Sequence, residues 1–237
     1  MLYWLLKKVL LGPLLRVYYR PWAEGTENVP TEGPAILAGN HLTVVDSFFM
    51  PLLLPRKVTF WAKSDYFTET GVKGWFKRFF FSRTGNLPVD RSGGRASEQA
   101  MRSALKVLEE GELLGLYPEG TRSPDGRLYR GKTGAARLAL AAKVPVIPVA
   151  MIGTAEMQPA GQLIPKRMRP GVRFGKPLDF SRYEGLEADR YVLRAVTDEI
   201  MYALMELSGQ EYVDAYAASV KAKLAAEQRD KKSPGDD

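Results

Sequence analysis

The feature that most limits what this chain can fold into is a repeated change of hydrophobic period along its middle. Short apolar runs, "AILAG" from Ala35, "KVTFWA" from Lys57, "ELLGLY" from Glu112 and "VPVIPVAMIG" from Val144, alternate with stretches of helical period. "ASEQAMRSALKVLEEG", closed by Gly111, and "GKTGAARLALAAK" are the clearest of these. Strands separated by helices of ten or more residues predict an α/β domain: one mostly parallel central sheet flanked by helices. "HLTVVDSFFMPLLLP" is expected to be a helix broken near Pro51 and stopped by Pro55, "GNLPVDR" a strand or loop, and Leu186 to Leu207 helical. At 237 residues the chain suits a single core. The expected division is an N-terminal segment 1–22, an α/β domain 23–227 with C-terminal helices, and a disordered tail 228–237.

The N-terminal segment, "MLYWLLKKVLLGPLLRVYYRPW", is not a run of roughly 18 apolar residues that would span a bilayer, because Lys7, Lys8, Gly12, Pro13, Arg16 and Arg20 interrupt it. It also lacks the charge-first order and small-residue cleavage site of a signal peptide. The pattern fits an in-plane amphipathic helix bent at Gly12-Pro13, with Trp and Leu in the headgroup boundary and Lys and Arg on anionic lipid. A helix packed on its own domain is the other reading. "GWFKRFFFSR", from Gly74 to Arg83, has the same aromatic and basic mixture and reads either as a second interfacial segment or as a core helix.

The chain has no cysteine and a single histidine, His41. Thiolate chemistry, disulfides and a multi-His metal site are therefore excluded within one chain, and no metal is expected. Proton transfer near neutrality falls to one imidazole. A net charge of +7 suits an anionic partner: nucleic acid, acidic headgroups or a phosphorylated substrate.

His41 stands in "NHLTVVDS", five residues before Asp46. In a regular helix five residues advance about 140° around the axis, so the pair meets only if His41 lies in the turn before the helix. Two readings are open. In one, Thr43 caps the helix, Asp46 sits at its third position and His41 is a packed core residue. In the other, Asp46 fixes the tautomer of His41 and the far ring nitrogen takes a proton from a hydroxyl.

"YPEGTRSPDG" delivers Glu119, Gly120, Thr121, Arg122 and Ser123 from a strand into a loop, a set that suits either an anion cradle or a solvated turn. "GNLPVDR" supplies Arg91 after another strand, and two arginines after separate strands are expected to converge at one end of a parallel sheet. "GRLYRGKT", Gly126 to Thr133, matches the P-loop pattern letter for letter. The turn "SPDG" stands where that pattern needs a strand, so the match is read as fortuitous. A nucleotide-binding phosphotransferase is kept as an alternative from another class, beside a non-catalytic lipid-binding protein.

Taken together, "NHLTVVD", "GNLPVDR", "PEGTRS" and "VPVIPVA" resemble the four sequence blocks of the glycerolipid acyltransferases, which include the 1-acyl-glycerol-3-phosphate acyltransferases, in the same order and over about half the chain. The resemblance implies His41 as general base and Asp46 as its orienting carboxylate. It implies a phosphorylated acceptor held by Gly85 and Arg91, by Glu119, Gly120, Thr121 and Arg122, and by Lys63 in "WAKSD". It implies an acyl-side wall from Val144, Pro145, Ile147 and Pro148. Pro88 stands where the family commonly has an aromatic residue, a departure that bears on acceptor selectivity. The implied reaction moves an acyl group from acyl-CoA or acyl-carrier protein, as co-substrate and without a cofactor, to lysophosphatidic acid, giving phosphatidic acid; another lysolipid, glycerol 3-phosphate or a glycolipid are other acceptors. The implied setting is peripheral or monotopic, on the cytoplasmic face of the cell membrane; the implied partners are its lipid surface and the two substrates, with no nucleic acid.

Overall fold

The computed structural model describes residues 2–63, 71, 74–75, 86–89, 95–159, 161–162 and 164–232. In chain order the elements are α1 (Leu2–Lys8), α2 (Leu11–Tyr19), β1 (Trp22–Glu24), β2 (Ala35–Gly39), α3 (Asp46–Leu52), β3 (Val58–Lys63), β4 (Leu87–Val89), α4 (Arg95–Glu109), β5 (Leu113–Leu116), β6 (Leu128–Tyr129), α5 (Gly134–Ala142), β7 (Val146–Ile152), α6 (Thr154–Met157), β8 (Gly171–Phe174), α7 (Arg190–Ser208), β9 (Tyr212–Val213) and α8 (Ala217–Lys232).

Seven strands form one sheet in the order β1-β8-β7-β2-β5-β3-β4, while β6 and β9 make a separate pair. Every pairing in the large sheet is parallel except β7 with β8, as the strand–helix alternation predicts. The centre is β2, flanked by β5 and β7. The chain leaves β2 toward β3 on one side and later crosses to β7 on the other, so the C-terminal end of β2 is the position where sheets of this kind form a ligand crevice.

Side chains of β2 alternate between two buried layers, which is why it reads as an unbroken apolar run. Ile36 and Ala38 join Ala104 and Leu108 of α4, Leu138 of α5 and Ile200 of α7 on one face. Ala35 and Leu37 join Phe49 and Met50 of α3, Phe60 and Phe174 on the other. Asp189 begins α7 by accepting from the backbone N–H groups of Tyr191 and Val192, and Gly209, with φ of 71°, ends it. The closing helix runs past Glu227 to Lys232, into the stretch expected to be unstructured, because Ala, Lys, Gln and Arg in "AAEQRDKK" are good helix formers.

The N-terminal segment folds as two helices, with the break at Val9 and Leu10 rather than at Gly12-Pro13. Pro13 sits in the first turn of α2, where its missing N–H costs nothing. Gly12 is required by packing, since a Cβ there would lie 1.7 Å from the carbonyl oxygen of Lys7. The lysine and arginine were expected to face lipid, yet two of them turn inward. Lys7 Nζ donates to the carbonyls of Leu54 (2.6 Å) and Arg56 (2.9 Å), and Arg16 donates to that of Leu52 at 2.7 Å. These carbonyls cluster at and just beyond the end of α3, where helical partners run out. Burial, reinforced by the Arg16 and Lys8 charges, pushes the Lys7 ammonium down to about 8. Leu15 and Tyr19 pack on the core, whereas Trp4, Leu5, Val9, Leu10, Leu14 and Val17 remain exposed. Among the described residues no helix is long and apolar enough to cross a membrane.

Candidate active site

The site begins where β2 ends. Asn40 is buried and ties β2 to β7 and to the chain after α7. Its Oδ1 accepts from Met151 N at 2.7 Å, and its Nδ2 donates to Gln210 Oε1 at 2.6 Å. Gln210 Nε2 in turn donates to the Gly126 carbonyl. The chain then turns, and His41 lies before α3 as the meeting of the pair requires.

His41 Nδ1 lies 3.0 Å from Asp46 Oδ2. The same oxygen accepts the backbone N–H groups of Leu42 (2.7 Å) and Thr43 (2.8 Å), while Oδ1 accepts from Thr43 Oγ1 at 3.2 Å. A carboxylate is acceptor-only, so Nδ1 carries the proton and Nε2 is left as the basic nitrogen. Asp46 is fully buried and His41 partly exposed. The capping arrangement is met in part: the Asp46 carboxylate reaches back to the Thr43 N–H as expected, but α3 starts only at Asp46. Val45 occupies the cap position, where it has no group to offer.

Tyr117, at the end of β5, stacks on the imidazole with ring centroids 3.9 Å apart and planes 9° apart. Its hydroxyl lies 2.9 Å from Ser47 Oγ, and its ring centroid is 5.9 Å from that of Phe60, with the planes 21° apart. Gly115 makes room for this pile, since a Cβ there would lie 2.5 Å from the Phe60 ring. Burial and the nearby Asp46 charge raise the Tyr117 phenol well above its ordinary value, so it stays neutral.

The "PEGTRS" loop folds against His41 on its backbone side. Ser123 N donates to the His41 carbonyl at 2.7 Å. Glu119 Oε1 accepts from His41 N at 3.1 Å and Oε2 from Tyr129 N at 3.0 Å. Expected as an acceptor-binding residue, Glu119 is instead a buried brace, with both oxygens committed to backbone N–H groups. Burial raises its carboxyl to about 7 against the lowering effect of those two bonds. Gly120, with φ of +71°, turns the loop, and Thr121 accepts from Lys221 Nζ at 3.0 Å. Arg122 is exposed beside them.

Not every expected site residue is among those described. Gly85 and Arg91 lie outside the described residues, as does most of Gly74 to Arg83. Lys63 closes β3 opposite Val89, whose strand β4 resolves "GNLPVDR" as strand at its centre. The acyl-side set is a correction. Because β7 runs parallel to β2 with Ile36 opposite Val146, Val144 and Pro145 stand at the end of the sheet remote from His41. Ile147 and Pro148 are buried within it. From that block the Val149 carbonyl meets Asn40 N, and Met151, just beyond the block, bonds the Asn40 side chain.

The P-loop reading also fails in the structure. Within Gly126–Thr133 lies strand β6, and α5 starts only at Gly134. The backbone N–H groups of Leu128, Arg130 and Lys132 donate to carbonyls of Glu211, Val213 and Pro118, and that of Tyr129 to Glu119. They therefore cannot cradle a phosphate.

Sequence reasoning missed Tyr117, Ser47, Gln210 and Lys221. The first had a signal, an aromatic residue closing a strand parallel to β2; the last two lie far along the chain and had none.

Comparison with known proteins agrees with this geometry. A family model described as Acyltransferase matches residues 21–152. The chain is 31% identical over 145 residues to the chloroplastic 1-acyl-sn-glycerol-3-phosphate acyltransferase BAT2 of Brassica napus, covering 61% of this chain but 40% of that one. It is 27% identical over 186 residues to the 1-acyl-sn-glycerol-3-phosphate acyltransferase of Bacillus subtilis, covering 78% of this chain and 86% of that relative. The crystal structure of the 1-acyl-sn-glycerophosphate acyltransferase PlsC from Thermotoga maritima superposes with a TM-score of 0.60 at 25% identity, over 83% of this chain and 80% of the other. The chain thus spans about two fifths of the length of the Brassica relative and most of the two bacterial ones. With its sheet, its His41–Asp46 turn and more than half of its residues within the matched region, the chain belongs to the acyltransferase family.

Proposed function

We propose that this protein is an O-acyltransferase that moves a fatty acyl group from a thioester, of CoA or of a carrier protein, to the free hydroxyl of 1-acyl-glycerol-3-phosphate. The products are phosphatidic acid and a free thiol. The observation that carries the reading is the His41 Nδ1–Asp46 Oδ2 contact, which leaves Nε2 as the basic nitrogen at the crevice end of the sheet.

The chemistry follows from that nitrogen. Nε2 takes the proton of the acceptor hydroxyl as its oxygen attacks the thioester carbonyl. The buried Asp46 carboxylate stabilises the imidazolium so formed. When the C–S bond breaks, the thiolate leaves and recovers the proton from His41, so no acyl-enzyme is needed. Arg122 and the Gly120–Thr121 turn hold the acceptor phosphate beside the imidazole, with Lys63, Gly85 and Arg91 as further candidates. Water must be kept from the thioester, and a crevice closed by lipid does this.

As part of the same proposal, the exposed Trp4, Leu14 and Val17 on α1 and α2 rest in the headgroup boundary. The anionic cytoplasmic leaflet would attract a chain of net charge +7 to its surface.

The test is thiol release on mixing purified protein, lysophosphatidic acid and an acyl-CoA, with the lipid product identified by mass spectrometry. His41→Ala should lower turnover by at least about 10²-fold with the fold retained. Full activity in a folded His41→Ala protein would refute the base assignment, and transfer only to unphosphorylated acceptors would refute the substrate.

A further inference from the structure

We propose that Lys132 and Lys221, neither of them in a motif block, form a second cationic grip on the acceptor phosphate beside His41. The proposal rests on the acyl-transfer reading and names residues that would set its preference for a phosphomonoester.

Two ammonium groups from distant elements meet one short loop. Lys221 comes from α8, well beyond the region matched by the family model, and its Nζ donates to Thr121 Oγ1 at 3.0 Å. Lys132 lies just before α5, and its side chain runs over Gly120. A Cβ on Gly120 would meet Lys132 Cδ and Cε at 3.2 Å and Nζ at 3.4 Å. The glycine is thus needed twice, for its φ of +71° and for the passage of this lysine. The same loop is bonded to His41 at both ends: through Glu119 Oε1 to the His41 N–H, and through Ser123 N to the His41 carbonyl. A group held by the two ammoniums therefore rests on a loop that is tied on either side of its centre to the backbone of His41.

The charge arrangement favours an anion of more than one charge. Arg122, exposed, follows Thr121 directly in the chain, so a third cationic residue belongs to the loop that the two lysines meet. The nearby carboxylate, Glu119, is buried with both oxygens accepting backbone N–H groups, and the Lys221 charge acts on it to favour its ionised form. Lys132 is exposed and makes no ion pair among the described residues. A phosphomonoester, carrying roughly −1.5 to −2 charges with three acceptor oxygens, matches a cluster of separate ammonium and guanidinium donors. Acyl-CoA carries a phosphomonoester too, so the shared chemistry has two sources.

The experiment separates them with paired substrates: a short-chain lysophosphatidate against the matching monoacylglycerol, and acyl-CoA against a truncated acyl thioester without phosphate. Lys221→Gln and Lys132→Gln should each raise KM for the lysophosphatidate roughly ten-fold, the usual effect of losing one charge-assisted bond. KM for either donor, kcat and the rate with monoacylglycerol should hold. Lys221→Arg should restore KM to within about three-fold, because it keeps a cationic donor. Glycerol 3-phosphate binding by calorimetry should weaken in parallel. Should Lys221→Gln fail to fold, Lys132→Gln, a change at an exposed side chain, carries the test alone. Unchanged KM and unchanged binding in folded variants would overturn the proposal, and so would a rise in KM confined to acyl-CoA. If the wild-type chain transfers no acyl group to any phosphorylated acceptor, the acyl-transfer reading falls, while the binding experiment still decides the role of the lysines.

Discussion

The imidazole of His41 lies flat on the ring of Tyr117, 3.9 Å away and within 9° of parallel. Asp46 holds the same imidazole in its plane through Nδ1. One contact fixes the face of the ring and the other its rotation, so Nε2 has a defined direction without any ligand. Stacked and hydrogen-bonded neighbours of this kind pre-organise a base.

The two halves of Tyr117 are separable. Tyr117→Phe keeps the stack and loses the Ser47 partner, and should cost about 1 kcal/mol of stability with kcat within about three-fold. Tyr117→Leu removes the stack and should lower kcat roughly ten-fold, from the ~0.5–1.5 kcal/mol such ring pairs contribute. Chemical denaturation and steady-state kinetics on both variants check this. Equal kcat for the Leu and Phe proteins would show that the stack does not orient His41.

Asp46→Asn keeps the shape of the turn but replaces an oxygen acceptor shared by Nδ1 and two backbone N–H groups. The amide must turn an N–H₂ toward one set of donors, leaving a clash or an unmet bond. Turnover should fall by at least about 10²-fold and stability by about 1–3 kcal/mol. A folded Asn variant with near-normal kcat would mean that the carboxylate charge is not used.

Glu119 predicts a pH dependence of stability whose sign differs from that of a paired carboxylate. Its folded-state value, about 7, lies above the ordinary 4.5 because burial penalises the charged form. The stabilising effect is therefore complete below pH 4.5 and is lost as pH rises to 7, with the folded state binding the extra proton between them. Across that window the loss is about 3 kcal/mol. Glu119→Gln should flatten the slope between those limits while leaving one of the His41 and Tyr129 N–H groups unpaired. Urea titrations at several pH values read it directly, and an identical slope in wild type and variant would refute it.

Gly115 admits Phe60 beneath Tyr117, so a side chain there should disturb the site from two residues' distance along β5. Gly115→Ala should cost about 1–3 kcal/mol as the Phe60 ring is displaced. It should also lower kcat, since Phe60 supports the ring that supports His41. A stability loss with kcat unchanged would confine Gly115 to core packing.

On the N-terminal helices, Leu14 and Val17 are 64% and 74% exposed. Replacing both with Ser should weaken partitioning to anionic vesicles by at least about ten-fold, given ~1.5–3 kcal/mol for burying each apolar side chain. Their exposure means that the melting temperature should not change. Vesicle sedimentation that does not distinguish the variant from wild type would remove this face from the membrane.

What the sequence determined alone is what depends on neighbours along the chain. The strand–helix alternation and the sheet's parallel character are readable from local spacing, whereas the spacing of His41 and Asp46 states only that the two meet if His41 lies in the turn before the helix. The tertiary structure decided everything that depends on strand order. Placing β5 and β7 on either side of β2 brings Tyr117 and Glu119 to His41 across 70 to 80 positions. Parallel pairing with β2 sends Val144 and Pro145 to the far end. Lys7 and Arg16 looked like lipid-facing charges until the end of α3 offered them carbonyls, and Lys221 reaches Thr121 across 100 residues. A residue's type and its neighbours state what chemistry it can do, but only the packing of distant elements states which partner it meets and whether water remains between them.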